Sequence, residues 1–232
     1  MLERYSISAS DKVLTKRFPG LEVTEHYSPR YNAAPSQLLP VVTNENSSGF
    51  SFFYWGTVPK WSRNKTISGK LINAAKEELN EKPTYRRALA DHRCLVPADG
   101  FYCWKRVGKK SRIPYRIILN QGAPFYMAGL WEEYQDESDE VIHTFSIITT
   151  PANDLLAPVC NRMPAILLDN DKSWLDLGTS TEALMEMLQP CPSEQMGMYT
   201  VSPMIDSNQL DLPSMVLPAP PVDQFGNFTL FN

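Results

Sequence analysis

The sequence predicts an α+β fold built on a mostly antiparallel or barrel-like β-sheet with a few short helices. Short runs rich in β-branched and aromatic residues recur along the chain, and helical patterns are few and scattered among them. The strand–helix–strand alternation of a parallel α/β protein is not visible. The 19 prolines against 11 glycines fit many short strands with bent connections. At 232 residues, 43% apolar and 21% charged, the chain has ordinary globular composition and length enough for a sizeable core, which excludes a wholly disordered polymer.

The elements follow in order. Ser8 to Phe18 reads as a helix, with Ser8 and Asp11 at capping-box spacing. Leu38–Thr43 and Gly49–Trp55 read as strands joined across the turn-rich Asn44–Ser48. Asn73–Asn80 reads as a short helix. The strand patterns then become dense: Arg93–Val96, Phe101–Arg106, Pro114–Leu119, Phe125–Leu130, His143–Thr149 and Met163–Leu168. Val107–Ser111 is a hairpin tip, and Asp136–Glu140 is a second, acidic tip. Helices return at Asp171–Leu175 and Ser180–Leu188, the latter stopped by Pro190. From Pro213 to residue 232 the proline-rich tail is expected to run extended along the surface. No internal repeat and no low-complexity linker divides the chain, so one domain over residues 1–232 is expected.

Several function classes are excluded or disfavoured. No apolar run reaches the roughly 18 residues of a membrane helix, and Met1–Ser10 lacks the apolar core of a secretory signal. The four cysteines, at 94, 103, 160 and 191, form no CxxC pair. This argues against a zinc ribbon and a disulfide framework and favours reduced thiols in a cytoplasm. No phosphate-binding loop, dinucleotide fingerprint or metalloprotease motif occurs, and no cofactor or metal is expected.

The net charge of −4 is unevenly spread. Between Thr84 and Trp131 nine basic residues stand against Asp91 and Asp99, a local +7, which leaves −11 for the rest. Such a middle either offers a polyanion one local surface or is a solvated hairpin around Lys109. His143 reads as a structural residue at a strand start, and His92 as a solvated loop residue. Asn73, between Leu71-Ile72 and Ala74-Ala75, either caps a helix or holds a ligand carbonyl or phosphate. Arg162, entering an apolar strand, needs an anionic partner, a carboxylate or a phosphate. Trp55, Trp61 and Trp104 have cations nearby, an arrangement suited either to the core or to single-stranded nucleic acid.

The order of motifs carries more. Arg4-Tyr5 is followed by Arg30-Tyr31-Asn32-Ala33-Ala34-Pro35-Ser36-Gln37, then by Trp55-Gly56-Thr57-Val58-Pro59-Lys60-Trp61, Ile72-Asn73-Ala74 and Tyr85-Arg86. The run from Arg93-Cys94-Leu95-Val96-Pro97-Ala98-Asp99-Gly100 to Phe101-Tyr102-Cys103-Trp104 comes next. Ala128-Gly129-Leu130-Trp131-Glu132, Thr149-Thr150-Pro151-Ala152-Asn153 and Arg162-Met163-Pro164 complete the set. This series resembles the SOS response-associated peptidase (SRAP) family of abasic-site processing proteins, over about residues 4–202.

The resemblance implies a mostly β domain with a cleft for single-stranded DNA. It implies DNA binding by Arg4, Trp61, Asn73, Arg86 and Arg162, in a protein expected to be a cytoplasmic monomer. In the family an N-terminal Cys, exposed by removal of the initiator Met, closes a thiazolidine ring with the aldehyde of an abasic sugar. The same Cys is thought to cleave short N-terminal extensions, and an Asn, a Glu and a His assist. Those catalytic positions correspond here to Leu2, Asn73, Cys103 and Cys160, so three of the four are substituted, and the Arg two residues after the Asn is Ala75. The expectation is a binder of single-stranded or abasic DNA whose crosslinking and peptidase chemistry is impaired or lost. The alternatives are an enzyme with substituted chemistry, using an N-terminal amine or Cys103 or Cys160, and an interaction domain that binds no nucleic acid.

Overall fold

In a computed structural model, residues 2–56, 72–135, 139–168 and 171–228 are described. Their strands are β1 (Tyr5–Ile7), β2 (Arg30–Ala33), β3 (Leu38–Thr43), β4 (Ser51–Trp55), β5 (Asn73–Ala75), β6 (Arg93–Ala98), β7 (Gly100–Val107), β8 (Ser111–Leu119), β9 (Phe125–Gln135), β10 (Val141–Pro151), β11 (Arg162–Pro164), β12 (Ile166–Leu167) and β13 (Met196–Thr200). Four short helices accompany them: α1 (Asp11–Arg17), α2 (Pro83–Asp91), α3 (Asp171–Leu175) and α4 (Thr181–Met187). The fold is α+β, as expected.

The strands form two sheets. In the first, β4, β3, β6, β9 and β10 pair in turn, and β10 returns to β4, which closes a barrel. Four of these pairings are antiparallel, and the β10–β4 seam is parallel. Closure removes exposed edges and allows near-continuous burial along the strands. All six residues of β6 are buried, as are residues 144–150 of β10. Strand β9 runs tightly between β6 and β10. A Cβ on Gly129 would lie 2.8 Å from the Cys94 sulfur and 3.1 Å from the Ser146 carbonyl oxygen, so only glycine fits there. The second sheet, in the order β13-β8-β7-β1-β2, is wholly antiparallel.

Asp99 is the single residue between β6 of the barrel and β7 of the second sheet. Its buried carboxylate accepts from the Ser6 hydroxyl (2.6 Å), the Ser8 backbone N–H (2.6 Å) and hydroxyl (2.8 Å), and the Ala9 N–H (2.8 Å). It also accepts from the buried Arg116 guanidinium at 2.9 Å. Gly100 makes room for that arginine, since a Cβ there would sit 2.7 Å from Arg116 Nε. Arg116 donates on to the Tyr199 hydroxyl at 2.7 Å, which draws β13 into the network.

The elements read from sequence are largely present. The β7–β8 hairpin turns at Val107–Ser111 with Gly108 at φ 65°, and α3 and α4 lie where expected, with Ser180 capping α4 by accepting from the Ala183 N–H. Of the acidic tip, residues 136–138 lie outside the described part.

Other readings need correction. Asn73–Asn80 is not a helix: Asn73–Ala75 pairs in parallel with β10, and only Lys76–Glu78 makes a 3-10 turn. Helix α2, unpredicted, opens with Pro83 in its first turn and buries Tyr85, Ala88 and Leu89 at helical spacing. Ser8 forms no capping box; its side chain binds Asp99, and Ser10 is the residue before α1. The Met163–Leu168 strand is broken at Ala165, whose carbonyl accepts from Ala128 N–H and whose N–H donates to Ile148. His92 is no solvated loop residue: it ends α2 and stacks on Trp131 at 4.2 Å. The tail does not start out extended, because Pro213–Val216 is a 3-10 turn that buries Met215 with Tyr102, Val201 and Ile205.

Part of the charged middle is interior or paired, while Lys109 and Lys110 are exposed at the hairpin. Arg93 is buried, donating to the carbonyls of Leu89, Ala90, Trp174 and Asp176, so it joins the end of α2 to α3. Arg116 is buried on Asp99, and Arg112 pairs with Asp206 at 2.9 Å.

Candidate functional site

Strand β5 is three residues long and lies beside β10 with Asn73 opposite Ile147. The Asn73 side-chain N–H donates to the Leu2 carbonyl at 2.7 Å. Its other side-chain atom, the carbonyl oxygen, is buried and has no hydrogen-bond partner among the described residues. Buried amide oxygens are ordinarily satisfied, so this one is an acceptor left open at the site. The Leu2 side chain is 3% exposed and belongs to the hydrophobic core.

Two residues further along β10, Thr149 joins the β5 backbone at Ala74 to Arg162. Its hydroxyl reaches the Ala74 carbonyl at 3.5 Å and accepts from Arg162 Nε at 2.9 Å, while its carbonyl accepts from Arg162 Nη2 at 2.6 Å. The guanidinium also meets the Glu77 carboxylate at 2.9 Å. The anionic partner that Arg162 requires is therefore a carboxylate. Burial raises the Glu77 carboxyl, but hydrogen bonding and charge from Arg162 outweigh it and hold the group below its ordinary value.

The second sheet brings Cys103, on β7, against Cys160, which ends the turn after β10. Cys103 Sγ donates to Cys160 Sγ across 2.8 Å, and both are free thiols. The Cys103 thiol is pushed up because its proton is held in that hydrogen bond and because it is buried. The Cys160 thiol is pulled down because it accepts that proton, and the Arg162 backbone N–H also donates to its sulfur. The N-terminal residues run beside β7, where the Tyr102 N–H donates to the Arg4 carbonyl at 3.1 Å. Hydrogen bonds thus tie Leu2 to Asn73, the next β5 residue Ala74 to Thr149 and Arg162, and the Arg162 backbone to Cys160 and Cys103, so these residues gather around β5.

The remaining expected residues are placed differently. The Arg4 guanidinium donates to the Glu3 carbonyl at 2.7 Å and to the Asn208 side chain, and its Nε is buried without a partner among the described residues. Burial lowers its pKa. Arg86 stands on the exposed side of α2 and donates to the Asn80 carbonyl at 3.0 Å, with no hydrogen bond to the cluster among the described residues. Trp61 lies outside the described residues. Trp55 is buried in the barrel and donates to the Ile72 carbonyl at 2.9 Å, so it is a core residue. Glu77 is not singled out from sequence, and Thr149 enters there only as part of a motif, with no role. The need of Arg162 for an anion pointed to a carboxylate, but no spacing pointed to Glu77.

Among the described residues no three of His, Cys, Asp and Glu gather as metal ligands. His143 stacks on Phe53 at 4.7 Å and pairs with Glu133, as a structural residue would. A cavity of about 550 Å³ between α1 and α3, lined in part by Phe18, Val42, Tyr126 and Leu175, contains none of the site residues.

The sequence model of the family described as SOS response associated peptidase (SRAP) matches residues 1–208. The chain belongs to the SRAP family. Among its relatives, the abasic site processing protein YoqW of Bacillus subtilis (strain 168) is 39% identical over 193 residues, which cover 82% of this chain and 86% of that protein. The abasic site processing protein HMCES of Rattus norvegicus is 27% identical over 251 residues, covering 90% and 70% respectively. A crystal structure of a Bacteroides thetaiotaomicron protein superposes with a TM-score of 0.81 at 28% identity, over 93% of this chain and 99% of that one. The barrel and its flanking sheet are thus the SRAP architecture, and the Asn73 network is built on it. No helix among the described residues is long and apolar enough to cross a membrane.

Proposed function

We propose that this SRAP protein binds single-stranded DNA carrying abasic sites in a cleft beside Asn73, without the stable covalent crosslink of the family. The observation that carries this reading is the Asn73 side chain. Its N–H holds the main chain at Leu2, and its open carbonyl oxygen stands ready for a donor such as a sugar hydroxyl. Arg162, which Thr149 ties to the carbonyl of the adjoining Ala74, supplies a cation for phosphate. The relatives named abasic site processing proteins give the ligand class.

The chemistry at the neighbouring positions argues against crosslinking. A thiazolidine needs an amine and a thiol on adjacent carbons, and the side chain at position 2 is the buried hydrocarbon of Leu2. Cys103 and Cys160 cannot supply that thiol, because neither sulfur sits on a carbon adjacent to one that bears the α-amine. At most the Cys160 sulfur adds to an aldehyde carbon, with the proton passing to the carbonyl oxygen, which gives a reversible hemithioacetal. The lowered Cys160 thiol favours this as the second reading, a labile adduct on the same ligand.

One electrophoretic experiment tests both. A labelled single-stranded oligonucleotide with one abasic site is run with the protein under native and then denaturing conditions. A native shift that weakens with salt and vanishes on denaturation is expected. A heat-stable band formed without borohydride would overturn the reading of Leu2, and no shift at micromolar protein would overturn DNA binding. A native shift lost in Cys160→Ser, but kept in Asn73→Ala, would favour the thiol adduct.

A further inference from the structure

Cys103 and Cys160 lie 57 positions apart in the chain, on β7 of one sheet and on the turn leading out of β10 of the other. Their sulfurs nevertheless approach to 2.8 Å, inside ordinary van der Waals contact and beyond the ~2.05 Å of an S–S bond. The turn that carries Cys160 is held by its own hydrogen bonds, Ala157 N–H to Asn153 and Cys160 N–H to Leu156, both at 2.9 Å. Cys103 is fixed in the ladder opposite Tyr115. The two thiols are therefore presented to one another by rigid backbone.

The pair is also asymmetric. Cys103 is buried, and Cys160 is partly open to solvent. Cys160 accepts from both the Cys103 thiol and the Arg162 backbone N–H, an environment that favours thiolate, the reactive form. Cys94 and Cys191 are buried, with their thiols pushed up by burial, in Cys191 to about 11. Among four cysteines, one is thus placed to react and one to resolve.

We propose that Cys103 and Cys160 are an oxidation site, a dithiol that hydrogen peroxide converts into a disulfide clamping the second sheet to the barrel beside Asn73. In the first step the Cys160 thiolate attacks a peroxide oxygen, the O–O bond breaks, and Cys160 sulfenic acid and hydroxide form. In the second step the Cys103 sulfur attacks the Cys160 sulfur, the S–O bond breaks, and the Cys103 proton leaves with the hydroxyl as water. Overall two thiols lose two electrons and two protons, and one peroxide becomes two waters. A thiol reductant reverses the reaction by exchange.

The test uses the full chain with hydrogen peroxide and does not depend on DNA. Thiols are counted on denatured protein before and after treatment, and peptides are mapped by mass. The expected result is a fall from four thiols to two, a linked Cys103–Cys160 peptide, and full recovery with dithiothreitol. Cys103→Ser should leave a Cys160 sulfenic acid trapped by dimedone. Because the bond would join two sheets across a long loop, the oxidised chain should melt roughly 5–15 °C higher. Four thiols retained, a link to Cys94 or Cys191, or Cys160 sulfinic acid without a link would overturn the proposal. A melting point that does not rise would overturn the clamp.

Discussion

Asp99→Ala removes the joint between the barrel and the second sheet, and the structure sets the size of the effect. The carboxylate accepts five hydrogen bonds, from Ser6, Ser8, Ala9 and Arg116. Arg116 is 7% exposed, so without its partner a guanidinium stays buried with an uncompensated charge. Breaking such a buried pair costs about 3–5 kcal/mol. That is a large part of the roughly 5–15 kcal/mol that holds a domain together. At a urea m-value near ~2 kcal/mol/M, the midpoint should fall by about 1.5–2.5 M. Asp99→Asn keeps the shape and still fails, because its amide N–H₂ must face either the Arg116 guanidinium or the N–H groups of Ser8 and Ala9. Adding Arg116→Met to Asp99→Ala removes the orphaned charge and should recover more than half of the loss. Equilibrium urea unfolding, followed by tryptophan fluorescence, reads all three variants. A loss below about 1 kcal/mol for Asp99→Ala, or a double variant no more stable than the single, would refute this account of the joint.

Further expectations rest on separate contacts. Glu77→Gln releases Arg162 from an exposed ion pair worth at most about 1 kcal/mol, so abasic single-stranded DNA should bind up to about fivefold tighter at low salt, by fluorescence anisotropy. Unchanged affinity would mean that phosphate does not compete for Arg162. Iodoacetamide labelling of reduced protein should modify Cys160 first and half-maximally below pH 9, whereas Cys191 should resist until about pH 11, as read by peptide mass. Gly100→Ala places a methyl group against the Arg116 guanidinium and should cost about 1–3 kcal/mol in the same urea assay, less than Asp99→Ala.

The strands that sequence made legible are those with enough length for a pattern. Strands β3, β4 and β6 to β10 are rich in β-branched and aromatic residues, and their burial supplies the signal. Strands β1 and β2 have three and four residues, and β13 carries glycine and two methionines, so none shows a period. The misreading of Asn73–Asn80 has a clear cause. Alanine, lysine and glutamate are good helix formers, yet β10 offers Asn73–Ala75 a ladder of main-chain partners, and tertiary pairing outweighs local propensity. At the site, Asn73 and Arg162 could be named from their unusual settings. Cys103 and Cys160 are brought together only by the family resemblance, because contact between two sheets leaves no mark in sequence spacing.

Electrostatics shows the same gap between composition and surface, and it narrows where a polyanion would sit. Two of the nine cations in the basic middle, Arg93 and Arg116, are interior and bind carbonyls or a carboxylate. A third, Arg112, is paired with Asp206. The other six are divided between Arg86 and Arg87 on α2 and the β7–β8 hairpin with Lys105, Arg106, Lys109 and Lys110. Neither group shares a hydrogen bond with the Asn73 network among the described residues. Arg162, outside that stretch, is in the network but holds Glu77 in the free protein. A DNA strand that takes Arg162 as a phosphate partner must therefore displace a carboxylate as well as counterions. If it does, Glu77→Gln lowers the cost of binding without adding a contact, and Arg162→Ala removes the contact altogether. If the strand is held by the hairpin instead, both variants leave affinity unchanged while Lys109→Ala and Lys110→Ala reduce it. The salt slope of binding discriminates as well, since each lost phosphate contact on single-stranded DNA lowers it by about 0.7.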